Sequence, residues 1–474
     1  MNNPSLQSTL GIIDMQIYFP RYYISQSELE QYDNVSKGKY TIGLGQTNLA
    51  FVSDNEDINS ICLTVLDMII RKNNIKLSDI GRIEVGTETF IDKSKSIKTN
   101  LMDIFKNSNC DIEGVTVSNA CYGGTSALLN AFNWLYSSYY DGRYAIVICG
   151  DIAVYSKGPA RPTGGAGAIA ILLGRGGHIV LENIRASCMK NCYDFYKPNP
   201  VSEYPVVDGH FSLKCYLEAF WECVRMYKEK GGIITNEDLL AFHCPYSKLV
   251  EKAYLEKKGI DLLERGGNEE CIKEIKKVNG KFWELSREGQ NKLKELYYNE
   301  FVNKIQPGLF LCKQLGNLYT GSLFGFILSL LSNENLNLSG KRIVCFSYGS
   351  GYASTLFTLR VISSNYKSIT ANNRDIFTRL NNRIKLSPVQ YEQILSQKEK
   401  LYLSNNYIPK TSNVDLFPRT YYLEKVDDKW RRFYSKKETS NTFSHNTLTN
   451  QLSHNLCTSI WNGFHKKSLS ECRS

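Results

Sequence analysis

One turn-helix-turn-strand pattern occurs twice in this chain, and that repeat limits the possible folds more than any other feature. The first copy reads "NACYGGTSALLNAFNWL", then "DGRYAIVICGD"; the second reads "GNLYTGSLFGFILSLL", then "SGKRIVCFSYGSG". Setting Tyr122 on Tyr319 puts Cys121 on Leu318, and a late strand-like run follows each copy, "GAIAILLG" and "ASTLFTLRV". Self-similarity of this kind marks an internal duplication. Strand and helix signals alternate around it. "GIIDMQIYFP", "GRIEVGTETF" and "VTVSN" read as strands, and "NEDINSICLTVLDMIIRKN" reads as an amphipathic helix with Ile58, Ile61, Leu66, Ile69 and Ile70 on its apolar stripe. The alternation predicts an α/β protein with buried sheets. Two such halves would pack their sheets face to face, with their turns meeting at one cleft.

A helix-rich stretch separates the copies, with "SLKCYLEAFWECVRMYKEKGG" and "LSREGQNKLKELYYNEFVNKIQ" as its longest periodic runs. Beyond Arg360, "ANNRDIFTRLNNRIKLS" and "SPVQYEQILSQKEKLYLS" read as two more helices, and "TYYLEKVDDKWRRFYSK" as a hairpin about Asp427 and Asp428. From Glu438 to Ser474 the composition turns to Ser, Thr, Asn and His without periodicity, the pattern of a disordered tail. The expected division is an N-terminal half at 9–182, a C-terminal half at 183–437 and a tail at 438–474.

Composition narrows the class. Hydrophobic residues make up 42% of the 474 positions, enough for a sizeable core. No apolar run reaches the roughly 20 residues that span a bilayer. The start, "MNNPSLQSTLG", has neither the layout of a signal peptide nor the arginines of a mitochondrial presequence, so a cytoplasmic location is expected. The 14 cysteines are scattered and read as reduced thiols. The close pair in "CMKNC", Cys188 and Cys192, lacks the second pair or histidine pair that a zinc site wants, so no metal is expected. A net charge of +10 fits either a solvated basic surface or an anionic ligand such as a phosphorylated cofactor. No basic block points to nucleic acid.

Three residues carry candidate chemistry. Cys121 sits between a strand and a helix, where free N–H groups and the positive end of the helix dipole would lower a thiol pKa and favour the thiolate. Glycines beside it would admit substrate, and backbone N–H groups there could hold an oxyanion. The plainer alternative is a buried cysteine packing a tight turn. Of six histidines, His445, His454 and His465 fall in the tail, His178 reads as strand surface and His210 lies in a turn. That leaves His243, at the end of an apolar strand, where open α/β folds bind ligands; a structural histidine remains the alternative. Glu88 in "VGTETF" is a carboxylate at a strand end, either a general acid-base or a surface glutamate.

Taken together these residues resemble the 3-hydroxy-3-methylglutaryl-CoA synthase family of the thiolase-like superfamily. The likeness runs from about Gly11 to Lys436, through "VGTETFIDKSKSIKTNLM", "NACYGGTSALLNAFNW", "DGRYAIVICGDIAVY", "ARPTGGAGA", "DFYKPNPVSEYPVVDG", "FHCPYSKLV", "GNLYTGSLFG" and "FSYGSG" in order. The resemblance implies a five-layer αβαβα fold from two duplicated halves, a homodimer, and catalysis by Glu88, Cys121 and His243. It implies that the cysteine takes an acetyl group from acetyl-CoA, the glutamate acts as base and then acid, the histidine holds acetoacetyl-CoA, and water releases the product. It further implies substrate or CoA contacts at Lys39, Thr163, Ser212, Lys248, Lys252, Asn317 and Ser350, supported by Tyr122, Asp151, Asp194 and Tyr319. Lys248 and Lys252 are four apart and would share a helix face toward CoA phosphates, or form an ordinary solvated pair. No cofactor beyond the CoA thioesters is implied. Where the family commonly has asparagine before "ARPTGG", this chain has Pro159, which removes a side-chain amide and an N–H donor. The alternative activity is another condensing reaction on the same fold, that of a ketoacyl synthase or a thiolase.

Overall fold

Apolar runs in nine places become nine strands. They are β1 (Leu10–Tyr18), β2 (Ile80–Gly86), β3 (Thr116–Val117), β4 (Tyr144–Ala153), β5 (Gly165–Arg175), β6 (Ile179–Met189), β7 (Leu239–Phe242), β8 (Arg342–Gly349) and β9 (Ala353–Val361). The computed structural model describes residues 9–438. The strands lie in the order β7-β8-β9-β6-β1-β5-β4-β2-β3. Strands β4, β5 and β8 are buried along nearly their whole length, which is why they read as continuous apolar runs rather than alternating ones.

The duplication is written into the pairing. β2 pairs parallel with β4, β4 antiparallel with β5, and β5 antiparallel with β1. In the second half β7 pairs parallel with β8, β8 antiparallel with β9, and β9 antiparallel with β6. β3 has no counterpart there. One pair, Ile12 of β1 with Ile179 of β6, joins the two half-sheets at their edges, so the strand order runs through nine strands. The second half opens with β6 at Ile179, a few residues before the boundary expected from sequence.

Five helices place the site: α1 (Ile58–Lys72), α2 (Gly123–Leu135), α3 (Gly209–Glu229), α4 (Ser247–Arg265) and α5 (Ser322–Leu331). α1 starts at a reciprocal cap, with Asp57 accepting the Ser60 N–H and Ser60 Oγ accepting the Asp57 N–H. α2 and α5 begin against each other, so the two halves meet turn to turn as the repeat implied. A Cβ on Gly124 would lie 2.5 Å from the Thr320 carbonyl and 2.9 Å from Cys149 Sγ, so only glycine fits this approach. The repeat register is shifted from that of the sequence. Each helix is preceded, three residues before its first, by a non-glycine residue in the left-handed region, Ala120 (φ 43°) and Tyr319 (φ 45°). Cys121 therefore corresponds to Thr320, not Leu318.

Two local expectations change. "GRIEVGTETF" leaves the sheet after Gly86: the Thr87 N–H still donates to Val117 of β3, but the Glu88 and Thr89 N–H groups turn to a buried carboxylate described below. "ANNRDIFTRLNNRIKLS" is not one helix: Asp375–Asn381 is helical, and Ile384–Lys385 pairs as a short strand with Tyr22 and Tyr23. The hairpin is as read, Tyr421–Val426 against Arg432–Lys436, its turn held by Asp427 accepting the Lys429 and Arg431 N–H groups. The tail after Glu438 lies outside the described residues.

Candidate active site

Cys121 follows the left-handed Ala120, a conformation that costs an L-residue roughly 1–2 kcal/mol. Tight turn bonds from Tyr122 N–H to Asn119 and from Gly123 N–H to Ala120 fix the bend. Those bonds also commit two of the N–H groups that the sequence had offered to an oxyanion. Cys121 is half-buried, and its thiol donates to Glu88 Oε1 at 3.4 Å. Glu88 is buried, and its other oxygen meets Lys197 Nζ at 3.2 Å. The thiol is pushed well up, first by burial, then by the nearby Glu88 and Asp151 carboxylates, with Lys197 opposing. This reverses the expected lowering: beside two carboxylates in a dry pocket, desolvation and like charge outweigh the helix dipole. The resting group is a thiol hydrogen-bonded to a carboxylate.

Asp151, at the end of β4, ties this arrangement together. Its Oδ1 accepts the Thr87 and Thr89 hydroxyls at 2.7 and 2.9 Å and the Glu88 and Thr89 N–H groups at 2.8 and 3.0 Å. Its Oδ2 accepts the Thr320 hydroxyl and N–H at 2.6 and 3.0 Å. One fully buried carboxylate thus fixes the Glu88 loop of the first half to the Thr320 turn of the second. Burial first, then the charge of Glu88, pushes Asp151 up to about 6 against these stabilising hydrogen bonds.

An aromatic wall backs the thiol. Tyr155, Phe195 and Tyr319 contact one another edge to face, and Cys121 packs against Tyr155 and Tyr319. Lys197 reaches over this wall, 4.9 Å from the Tyr319 ring centroid. Burial pulls Lys197 down, but Glu88 and Asp151 outweigh it and hold the ammonium charged.

His243 stands at the end of β7 and is buried. Its N–H donates to Phe346 of β8 at 2.8 Å, and its carbonyl accepts the Tyr216 hydroxyl at 2.7 Å. Burial lowers the imidazole to about 3, so it is neutral at physiological pH. It is linked to Cys121 through β8. Gly349 lies three residues beyond Phe346, about 10 Å at the usual strand rise, and a Cβ on it would lie 2.5 Å from the Tyr122 backbone nitrogen. The structure therefore brings Glu88 and Cys121 into direct contact. His243 makes no hydrogen bond to either among the described residues and is set back along the neighbouring strand.

The remaining residues fall into two groups. Asp194 Oδ2 accepts the Tyr348 and Ser212 hydroxyls at 2.8 and 3.2 Å, its Oδ1 accepts the Gly351 N–H at 2.8 Å, and the carbonyl of Ser350 accepts Asn119 Nδ2 at 3.4 Å, two residues before Cys121. Tyr122 pairs its hydroxyl with Thr355 at 2.7 Å. Asn317 accepts the Tyr319 N–H and the Ser322 hydroxyl and donates its own N–H to Gly164, beside Thr163, whose hydroxyl closes its turn on Ala160. Pro159 is exposed in that turn.

The second group is cationic. Lys248 and Lys252 share a face of α4, and burial depresses both. Lys248 and Lys294 both meet Glu251, at 2.8 and 3.2 Å, and burial also depresses Lys313 nearby. Four lysines around one glutamate leave surplus positive charge. The Lys39 loop joins this side. Glu30 accepts its Gly38, Tyr40 and Thr41 N–H groups, and Leu44 accepts the Lys248 N–H. Lys197, Lys294 and Lys313 were not singled out from sequence. The first lies inside a quoted motif, but only the folded loop brings it to Glu88; the others sit among many surface-type lysines.

Comparison with known proteins agrees with this site. The family model "Hydroxymethylglutaryl-coenzyme A synthase N terminal" matches residues 6–177, and "Hydroxymethylglutaryl-coenzyme A synthase C terminal" matches 179–437. The chain is 42% identical over 461 residues to the mitochondrial hydroxymethylglutaryl-CoA synthase of Rattus norvegicus, covering 90% of this chain and 89% of that one. It is 43% identical over 461 residues to the cytoplasmic enzyme of Gallus gallus, covering 90% and 87%. Among solved structures, "MvaS in complex with 3-hydroxy-3-methylglutaryl coenzyme A" superposes with a TM-score of 0.78 at 27% identity, covering 90% of this chain and 99% of that one. The fold is the thiolase-like α/β fold of these enzymes. With both family models together spanning nearly all the described residues, the chain belongs to the hydroxymethylglutaryl-CoA synthase family.

Proposed function

We propose that Cys121, Glu88 and His243 form the catalytic trio of this enzyme, acting as nucleophile, proton carrier and substrate-orienting imidazole. The reaction is that of the family: acetyl-CoA, acetoacetyl-CoA and water give (S)-3-hydroxy-3-methylglutaryl-CoA and free CoA, a step of the mevalonate pathway toward isoprenoids and sterols. The observation that carries the assignment is the Cys121 thiol held on Glu88, itself held by Lys197. Glu88 takes the thiol proton, the sulfur attacks the acetyl carbonyl, and as the bond to CoA breaks Glu88 passes that proton to the departing thiolate, which leaves as free CoA. The carboxylate then removes a proton from the acetyl-thioester methyl group. The resulting carbon attacks the ketone of acetoacetyl-CoA, and Glu88 returns the proton to the new alkoxide. Neutral His243 orients that ketone by hydrogen bonding. Water cleaves the thioester. The lysines on and around α4, with Lys39, receive the CoA phosphates. Thr163, Ser212, Asn317 and Ser350 line the approach, while Tyr122, Asp151, Asp194 and Tyr319 hold the trio in place. No cofactor enters any step.

The thiolase alternative calls for a second working cysteine in the C-terminal half. Cys345 is fully buried, bonded to the Ile343 carbonyl and pushed up by desolvation, and Thr320 occupies the counterpart of Cys121. Mass-spectrometric product analysis with both thioesters separates the readings: a branched hydroxy-diacid CoA ester supports ours, and a straight ketoacyl thioester would contradict it. We place the enzyme in the cytoplasm; the described cysteines are all free thiols, as a reducing compartment requires, and relatives occur in both cytoplasmic and mitochondrial forms. No helix among the described residues is long and apolar enough to cross a membrane. We propose a homodimer as its assembly, as the family resemblance implies.

A further inference from the structure

Beside the site, two thiols without a part in these steps converge on the Asp194 carboxylate. Cys192 lies in the segment after β6, two residues before Asp194, and Cys215 lies on α3, one turn beyond Ser212. The two sulfurs are 3.9 Å apart, Cys192 Sγ donates to Asp194 Oδ1 at 3.4 Å, and all three donor atoms lie within 4.8 Å of one another. We propose that Cys192, Asp194 and Cys215 bind a soft divalent cation of the zinc type, and that the bound ion inhibits the enzyme. Tetrahedral zinc, with sulfur at about 2.3 Å and carboxylate oxygen at about 2.0 Å, sets neighbouring sulfurs about 3.8 Å apart and sulfur and oxygen about 3.5 Å apart. The sulfur–sulfur spacing of 3.9 Å and the Cys192–Asp194 spacing of 3.4 Å match that geometry, and Cys215 and Asp194, within 4.8 Å of each other, draw together to complete it.

The carboxylate has the outer support that a ligating group needs: Tyr348 and Ser212 hydroxyls on Oδ2 and the Gly351 N–H on Oδ1. On binding, Oδ1 exchanges the Cys192 thiol for the metal, the two thiols release their protons to solvent, and water fills the fourth position. Cys215 is buried and Cys192 half-exposed, so the ion enters from the Cys192 side. Sequence alone hid the site, because Cys215 comes from a helix separated by the whole Phe195–Asp208 excursion. Inhibition rests on the functional reading above: Asp194 holds Ser212 and the Ser350–Gly351 turn, and an ion on Oδ1 pulls against both.

The test uses the full chain, reduced and stripped of metal, titrated with Co2+, whose visible and near-ultraviolet bands report tetrahedral sulfur coordination independently of turnover. We expect one equivalent to bind to the unsubstituted protein and to Cys121→Ala. Cys192→Ala, half-exposed and so safe for folding, should weaken binding about a hundredfold or more, since even outer-shell losses cost about ten- to a hundredfold; Cys215→Ala should do the same. Zn2+ should inhibit turnover of the unsubstituted enzyme reversibly with EDTA and spare Cys192→Ala, whose metal-free turnover stays unchanged. Sulfur-type bands retained in both Cys192→Ala and Cys215→Ala, bands lost in Cys121→Ala, or no such bands at all would overturn the proposal. Bands as expected without inhibition would overturn its inhibitory part and leave the catalytic assignment standing.

Discussion

At the scale of single residues, the proposed activation of Cys121 is a matter of neighbours. Burial and nearby carboxylates disfavour its thiolate, the proposed mechanism has Glu88 take the proton, and Lys197 is the cation in contact with Glu88. Replacing Lys197 by Met should cut condensation about a hundredfold, the usual loss when one fixed charge is removed from a dry site, with KM for acetyl-CoA changed far less; steady-state kinetics check it. An equal loss in KM would mean that Lys197 binds substrate instead. Cys121 and Glu88 were legible from sequence because both stand where strands stop. The raised thiol pKa was not legible, since its causes, burial first and then the Glu88 and Asp151 carboxylates, come from other parts of the chain. Lys197 was not, because a lysine between aromatic residues has no periodic signal.

At the scale of elements, the close approach of α2 and α5 builds the cleft. Gly124→Ala would press a methyl group onto the Thr320 carbonyl and the Cys149 sulfur. Overpacking of this kind costs about 1–3 kcal/mol. Because Thr320 also feeds Asp151, the melting temperature and the acetylation rate should fall together; a variant as stable and active as the parent would show that the halves meet less tightly. The repeat itself was readable, since buried strands and helix periods recur in the same order. Its register was not. Tyrosines and glycines aligned Tyr122 with Tyr319, whereas backbone conformation aligns Ala120 with Tyr319, and left-handed residues leave no mark in composition when they are not glycine. Likewise the seam of β1 with β6 depends on strand edges, about which hydrophobic pattern says nothing.

At the scale of the whole molecule, burial of titratable groups sets the response to acid. His243 is lowered from 6.5 to about 3 in the fold, so its contribution is complete above pH 6.5 and is lost as the pH falls toward 3. Asp151, raised from 3.8 to about 6, works in the opposite sense, adding stability as the pH falls from 6 toward 3.8. The two partly offset each other, so substitution is needed to separate them. Between pH 7 and pH 5, His243→Asn should spare about 2 kcal/mol of the acid loss relative to the parent, read from urea unfolding at the two values; parallel losses would place His243 in water rather than in the core. The central claim is tested most directly by intact-protein and peptide mass spectrometry after mixing the enzyme with acetyl-CoA alone. The account predicts one acetyl group, located on Cys121 and absent from Cys121→Ser. An unmodified Cys121, or an acetyl group carried by another residue, would contradict it.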